Sequence, residues 1–559
     1  MRPVSATATA SAMALVVARG AATRRCFTSS LVSRHASQQP PSSSSLPAKL
    51  PPQPPNARQF KPHLNYRYIR DNVSALQENC VNRNALDVDV AKVAALYDSF
   101  VAADYELGEL RRWRNAVAVE MASLVGQAKK DMGAKGADTD VSIGSRRKVL
   151  AEQGRNLKAS IAKHESLVAD LQSRLYEEAR HIPNDTHPQS PIGDESNATV
   201  LSTTGTPRGP TFPSGAPLRS HMDIMLAHDM VDFDRAGKVA GSSFYYLRNM
   251  GAMLEMALCR FAMDTCIAEG FTPVVAPDVI RHEVLEACGF NPRSEDPQTY
   301  YIAPHDPAAA ETTGTQRDPL QLCLTATAEF PLAAAHANET LPRASLPLKS
   351  VASSHAFRAE GLAGAANRGL YRVHQFTKIE MFALTPRGGD TSAAVLADMV
   401  RIQRHMYAAL GLCFRELDMP THDLGAPAFR KIDIEAWMPG RGSWGEISSA
   451  SDCTDFQSRR LNIRTFSSAP RPPVQARDAD AAAKQPQQAM AAEFVHTVNG
   501  TACAVPRLII AILETHQTED GNVRVPEALR PYLWGLDTIR AGIGLADLVR
   551  EQQLRAKNE

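Results

Sequence analysis

The first seventy residues contain neither aspartate nor glutamate; the first acid in the chain is Asp71. What stands there is Arg2, Arg19, Arg24, Arg25 and Arg34 among many Ser and Ala, then a tract of Pro and Ser, QQPPSSSSLPAKLPPQPP. Arg-rich, Ser-rich and acid-free is the composition of a mitochondrial leader, which predicts the mitochondrial matrix, with or without a cytoplasmic pool. Arg24 to Thr28 is the predicted region of processing, and the Pro/Ser tract has too little apolar surface to bury a core. Residues 1–60 are therefore expected to be leader and linker. Long apolar runs are also missing: near the start the longest, Met13 to Ala18, is far too short to span a bilayer, so no membrane is expected. The nine Cys show no Cys-x-x-Cys and no regular spacing, which argues against a disulfide frame and predicts no zinc. Sixty-one Lys and Arg balance sixty Asp and Glu, so the overall charge names no partner.

Charge is uneven locally. Apolar positions run Val93, Leu96, Phe100, Ala103, Leu107, Leu110, Val117, Met121 and Leu124, the three-four alternation of a coiled-coil seam. A Gly-bearing tip, MGAKGADTDVSIGS, is expected at 132–145, and a second seam follows through Leu150, Leu157, Ile161, His164, Val168, Leu171 and Leu175. Pro183 ends it. Two helices of roughly 50–60 Å joined by that tip predict an antiparallel arm within 61–186. From Arg111 to Lys163 twelve Lys and Arg face five Asp and Glu, an excess of seven positive charges in a nearly neutral chain. A basic rod suits a phosphate backbone recognised by shape.

Residues 187–559 carry a different set of patterns, interrupted by low-complexity inserts at 305–318 and 467–492 that read as surface loops. A helix from Gly251 to Glu269 leads into Gly-Phe-Thr-Pro-Val-Val-Ala-Pro. Next comes Thr327-Ala328-Glu329, then FRAEGLAGAANRGLYRVHQFTKIEMF from Phe357 to Phe382, read as strand, loop and strand, the second strand running from Tyr371 to Phe382. Trp444-Gly445-Glu446-Ile447-Ser448-Ser449 follows a strand at Asp433 to Trp437. Last is HTVNGTACAVPR, from His496 to Arg507, before the apolar helix LIIAILET.

Together these resemble the three motifs of class II aminoacyl-tRNA synthetases, and RGLYRVHQFTKIEMF resembles the seryl-tRNA synthetases in particular. The leading piece Leu64 to Leu96 is similar to the start of the same family, and the likeness runs from about Leu64 to Leu548. It implies an α+β fold: a class II antiparallel-sheet catalytic domain with an N-terminal antiparallel coiled-coil arm that embraces the long variable stem of serine tRNA. It implies a ligase that joins L-serine to ATP as seryl-adenylate and passes it to the 3′ end of tRNA(Ser), and a homodimer formed through the helix at 251–269.

The resemblance also implies roles. Arg358 would hold the α-phosphate and the substrate carboxylate, as a planar fork can. Glu360 would accept from the adenine amino group, Phe376 would stack on adenine, and Ala359 and Val373 would border the nucleotide. Glu446, Ile447, Ser448 and Ser449 would form an ATP segment, with Glu446 and Ser449 offering hard oxygens to Mg²⁺. Arg507 would lie over the γ-phosphate. Thr327, Ala328, Glu329, Arg358, Glu380, Asn499 and Thr501 would surround serine, with Glu329 receiving its ammonium. Arg358, Glu446 and Arg507 would carry the chemistry.

The sequence departs from the family in three places. Ala359 stands where many relatives have Ser, the loop after Glu360 is about a residue short, and Pro506 precedes Arg507 where Gly is common. Pro506 predicts an extended residue just before it. Two other readings share this core: a catalytically inactive paralogue, opposed by intact Arg358, Glu380, Glu446 and Arg507, and an aminoacyl:carrier-protein ligase, opposed by the long basic arm.

Overall fold

A computed structural model describes residues 60, 62–131, 137–290, 298–303, 321–359, 369–388, 390–470 and 490–558. The leader, Glu360, the insert at 305–318 and residues 471–489 of the second insert lie outside them.

Two short helices, α1 (Tyr66–Asp71) and α2 (Val73–Asn82), precede a long pair, α3 (Val90–Asp131) and α4 (Ala137–Ala179). At 1.5 Å per residue each long helix spans about 63 Å. Val93, Leu96, Ala103 and Leu107 of α3 are buried, as are Leu150, Ile161, Leu171 and Leu175 of α4. The seam is the predicted one. The tip is shorter than expected, because helix resumes at Ala137 and continues through Gly144. His164 serves the seam: one ring nitrogen lies 2.9 Å from the Ser160 carbonyl and the other 3.3 Å from Glu106.

The rest is built on a sheet of eight strands: β1 (Thr199–Thr204), β2 (Thr272–Val274), β3 (Leu348–Phe357), β4 (Gln375–Thr385), β5 (Phe414–Asp418), β6 (Arg430–Met438), β7 (Ser443–Thr454) and β8 (His496–Ala504). Their spatial order is β1-β5-β6-β7-β8-β4-β3-β2. Every neighbouring pair is antiparallel except β2 with β3.

Strand alternation gives the sheet two unlike faces. Ile379, Met381 and Ala383 of β4, Ile432 and Ile434 of β6 and Val498 of β8 belong to one core with Leu254 and Leu258 of α5 (Asn249–Ala268), Met399 and Met406 of α6 (Thr391–Ala409), and Leu508 and Ile512 of α7 (Val505–His516). Three helices thus cover one face. The other face carries Lys378, Glu380, Asp433, Asn499 and Thr501, all buried and polar. At one end it is capped by a smaller core around Phe330, Phe382 and Leu461.

Two strand boundaries differ from expectation. The second strand of the 357–382 stretch begins at Gln375, not Tyr371. The Tyr371 ring lies under two guanidinium groups, Arg441 at 3.8 Å and Arg507 at 4.8 Å, and this holds it off the ladder. Pro506 sits in the first turn of α7, where its missing N–H is no loss. The extended residue is Ala504, one position earlier than predicted, at φ −90° and ψ 92°.

The arm joins the sheet domain through a buried polar junction. Arg83, at the end of α2, is fully buried. Its guanidinium donates to the carbonyls of Asn184, Gly425 and Ala428 and to the Thr186 hydroxyl, at 2.6–3.2 Å. Asn184 donates in turn to the carbonyls of Pro427 and Cys453, both at 2.9 Å.

Candidate active site

The polar face of the sheet holds the candidate residues. On β3 and β4 the same-face positions are Ala352, Ser354 and Ala356, opposite Glu380, Lys378 and Phe376, and Arg358 follows two residues after Ala356. The Arg358 guanidinium stands 5.4 Å from the centre of the Phe376 ring. Arg358 and His374 close the hairpin base: the Arg358 amide donates to the His374 carbonyl at 2.9 Å.

Glu446 and Ser449 are three apart and should face opposite ways in a regular strand. A β-bulge corrects this. Ser448 pairs with Ile434 but Glu446 pairs with Glu435, so Ile447 is an extra residue. Ser449, opposite Asp433, and Glu446, opposite Glu435, then share the polar face. The Ile447 side chain enters the helix-side core, and the Ser448 hydroxyl donates to the Thr501 carbonyl at 2.9 Å.

Glu446 pairs with Arg507, Oε2 to Nη1 at 3.1 Å, and the same Nη1 donates to the Glu446 carbonyl at 3.0 Å. Burial works against ionisation of Glu446, but Arg507, Lys431 and Arg358 outweigh it and hold the carboxyl down at about 2. This keeps a charged oxygen donor in the site at any neutral pH.

A second carboxylate cluster lies beside it. Glu380 accepts from Lys378 Nζ at 2.6 Å and from the Thr501 hydroxyl at 3.2 Å. Glu329 begins the short helix Glu329–Ala334, and its Oε1 accepts from Gln457 at 2.6 Å and Asn499 at 3.0 Å. Burial and then the charge of Glu380 push the Glu329 carboxyl up to about 7, against the Gln457 hydrogen bond and the charge of Lys378. Thr327 accepts from the Glu329 amide at 3.3 Å.

These side chains line two adjoining spaces. A cleft lies among Arg358, Val373, Phe376, Ser449 and Arg507. A larger cavity contains Thr327, Glu329, Glu380 and Asn499. Arg358, Lys378, Glu446 and Ser449 border both. Of the residues expected there, Ala328 is fully buried, and Ala359 donates its amide to the Gln298 carbonyl at 3.1 Å; neither lines either space. Lys378 and Gln457 were missed by the sequence reading. Lys378 was visible as the residue between Phe376 and Glu380 on one strand face; Gln457 had no sequence signal. Among the described residues no group of three or more His, Cys, Asp or Glu is gathered as a metal cage, and the eight described cysteines are free thiols, all but Cys259 buried.

An antiparallel sheet with helices on one face and an Arg-lined cleft on the other is the catalytic core of a class II aminoacyl-tRNA synthetase. Residues 313–516 match the class II core domain of the synthetases for G, H, P, S and T, and residues 64–186 match the seryl-tRNA synthetase N-terminal domain. The chain belongs to the seryl-tRNA synthetase family. It is 37% identical over 482 residues to the serine--tRNA ligase of Treponema denticola, covering 85% of this chain and all of that one. It is 42% identical over 390 residues to the mitochondrial serine--tRNA ligase of Bos taurus, covering 70% and 68%. The ATP-complexed seryl-tRNA synthetase of Pyrococcus horikoshii superposes with a TM-score of 0.69 at 33% identity, over 86% of this chain and all of that one.

Proposed function

We infer that this protein activates L-serine with ATP and transfers the seryl group to the 3′ end of tRNA(Ser). The observation that carries this reading is the meeting of the cleft and the cavity at Arg358 and Glu446. Two reactants held on either side of that wall have their reacting groups together. ATP occupies the cleft, with adenine on Phe376, the α-phosphate at Arg358 and the γ-phosphate at Arg507. Serine occupies the cavity, with its ammonium on Glu329 and its hydroxyl near Glu380 and Thr501. The serine carboxylate forms a bond to the α-phosphorus as the bond to pyrophosphate breaks. Arg358 neutralises charge on the phosphoryl oxygens throughout. A ribose hydroxyl of the tRNA then attacks the carbonyl carbon, and AMP leaves. No side chain forms a covalent intermediate.

One carboxylate and one hydroxyl on a shared face fit Mg²⁺, which takes few protein ligands and completes its shell with phosphate oxygens and water. Glu446 and Ser449 would hold it, and when bound it would offset the charge of the polyphosphate. The low carboxyl of Glu446 supports this donor role.

Residues 1–60 are read as leader and linker, 61–186 as the tRNA arm and 187–559 as the catalytic domain. The acid-free start and the mitochondrial relatives support a matrix location. A homodimer through α5 and β2 is supported by apolar groups left on that edge, Met256 at 62% and Val275 at 96% exposure.

Charging of a serine tRNA transcript tests the function. Serine should be esterified to tRNA(Ser), and a transcript lacking the long variable stem should be charged poorly. Equal charging of both would remove the arm from recognition. A reporter fused to residues 1–60 should enter mitochondria; a cytosolic reporter would refute the leader.

A further inference from the structure

We propose that Gln457, itself held by Thr497, is a positioning residue that fixes one carboxylate oxygen of Glu329 and leaves the other to the serine ammonium. The proposal rests on the reading of Glu329 as the ammonium acceptor.

Gln457 lies on the short helix Phe456–Leu461 and is fully buried. Its Nε2 donates to Glu329 Oε1 at 2.6 Å and lies 3.4 Å from the Cys288 carbonyl. Its Oε1 accepts from the Thr497 hydroxyl at 2.7 Å. The two ends of an amide differ: the nitrogen only donates and the oxygen only accepts. An ionised Glu329 cannot donate, so the nitrogen must face it, and the Thr497 donor secures the opposite end. Thr497 is fully buried on β8, so it has no water with which to exchange this bond.

Asn499, two residues along the same strand, donates to the same Glu329 oxygen at 3.0 Å. Two amides on Oε1 saturate one side of the carboxylate. Neither amide carries charge, so they orient the group without satisfying its need for a cation. The charged and titratable groups around that cavity are Glu380 and Lys378 on β4, Lys431 on β6, Glu446 on β7, Arg358, His422, Asp423, Cys288 and Cys453. Lys378 is taken by Glu380 at 2.6 Å. A serine ammonium is then the cation that Glu329 is set to receive. Without the Gln457 donor, the carboxyl would hold its proton to higher pH and lose its orientation.

The test is pyrophosphate exchange by full-length Gln457→Met and Thr497→Val, between about pH 6 and 9. Gln457→Met should raise the KM for serine about tenfold or more at neutral pH, the scale of one hydrogen bond to a charged group. It should leave kcat and the KM for ATP nearly unchanged and move the acid limb of kcat/KM for serine to higher pH. Thr497→Val should act in the same direction with smaller size, and it carries the test alone if Gln457→Met does not fold. An unshifted acid limb in a folded variant would overturn the proposal, even with a raised KM, because loss of packing alone does not move a pH profile. Glu329→Gln separates the two readings: near-normal serine use by that variant would end the ammonium assignment, whatever the Gln457 variants do.

Discussion

Arg83 donates to the Gly425 carbonyl across 2.6 Å, although 342 residues of chain separate them. The contact ties the base of the arm to the loop His422–Ala428, which forms one wall of the larger cavity. Gly425, Ala428 and Asn184 all lend carbonyls to this one buried guanidinium. Arg83→Met leaves those acceptors without this donor and should cost about 2–4 kcal/mol. Denaturant unfolding followed by tryptophan fluorescence would show the midpoint fall. An unchanged midpoint would mean that water replaces the guanidinium freely.

Arg358→Ala should abolish adenylate formation while the protein stays folded. A preorganised phosphate clamp contributes several kcal/mol, roughly a thousandfold in rate. Circular dichroism and pyrophosphate exchange on the same sample decide it; near-normal exchange would remove Arg358 from the reaction.

Removal of Gly108 to Lys163 should separate the two halves of the function. The excess positive charge lies on this outer part of the arm, far in sequence from the ATP motifs. Pyrophosphate exchange should persist while tRNA charging falls at least tenfold, with a weaker salt dependence. Charging at unchanged efficiency would make the arm structural only.

The arm was legible in the sequence because it rests on local order, while the Arg358 hairpin and the Glu446 segment came through the resemblance to the seryl-tRNA synthetases. A seam repeats within one helix, and alternation within one strand puts Phe376, Lys378 and Glu380 on one face. The bulge at Ile447 was not legible, since it is a relation between β6 and β7, and without it Glu446 and Ser449 would part. Arg83 reads as an ordinary helix-end arginine until the loop at 424–428 is brought to it. The start of α4 at Ala137 was hidden because Asp, Thr, Ser and Gly there have weak helix propensity and read as a turn.

Serine use should fall as pH drops through about 7. Glu329 must be ionised to hold an ammonium, and burial with Glu380 nearby has raised its carboxyl to about that value. The stability effect has the opposite sign. A carboxyl raised in the folded state penalises folding once pH exceeds its unfolded value, and the penalty is complete above the folded one. Glu329→Gln should therefore lose serine activation yet unfold at a higher temperature at pH 8, with a smaller gain at pH 5. A variant less stable at pH 8 than the parent would contradict this.

Thr501→Ala should narrow the preference for serine over alanine. The Thr501 hydroxyl donates to Glu380 at 3.2 Å and stands 3.4 Å from Lys378 Nζ, a buried set that a substrate hydroxyl can join. Alanine leaves such groups unpaired, at roughly 1–3 kcal/mol each. Threonine must be refused by shape. An unchanged serine-to-alanine ratio in the folded variant would take Thr501 out of the pocket.

ATP–pyrophosphate exchange with each proteinogenic amino acid in turn, followed by transfer to tRNA(Ser), tests the central claim most directly. Serine should support exchange far above every other amino acid, and the label should pass to the tRNA 3′ end. No exchange with any amino acid would make this an inactive paralogue. Exchange led by another amino acid, or serine exchange with no transfer to tRNA, would contradict a serine--tRNA ligase.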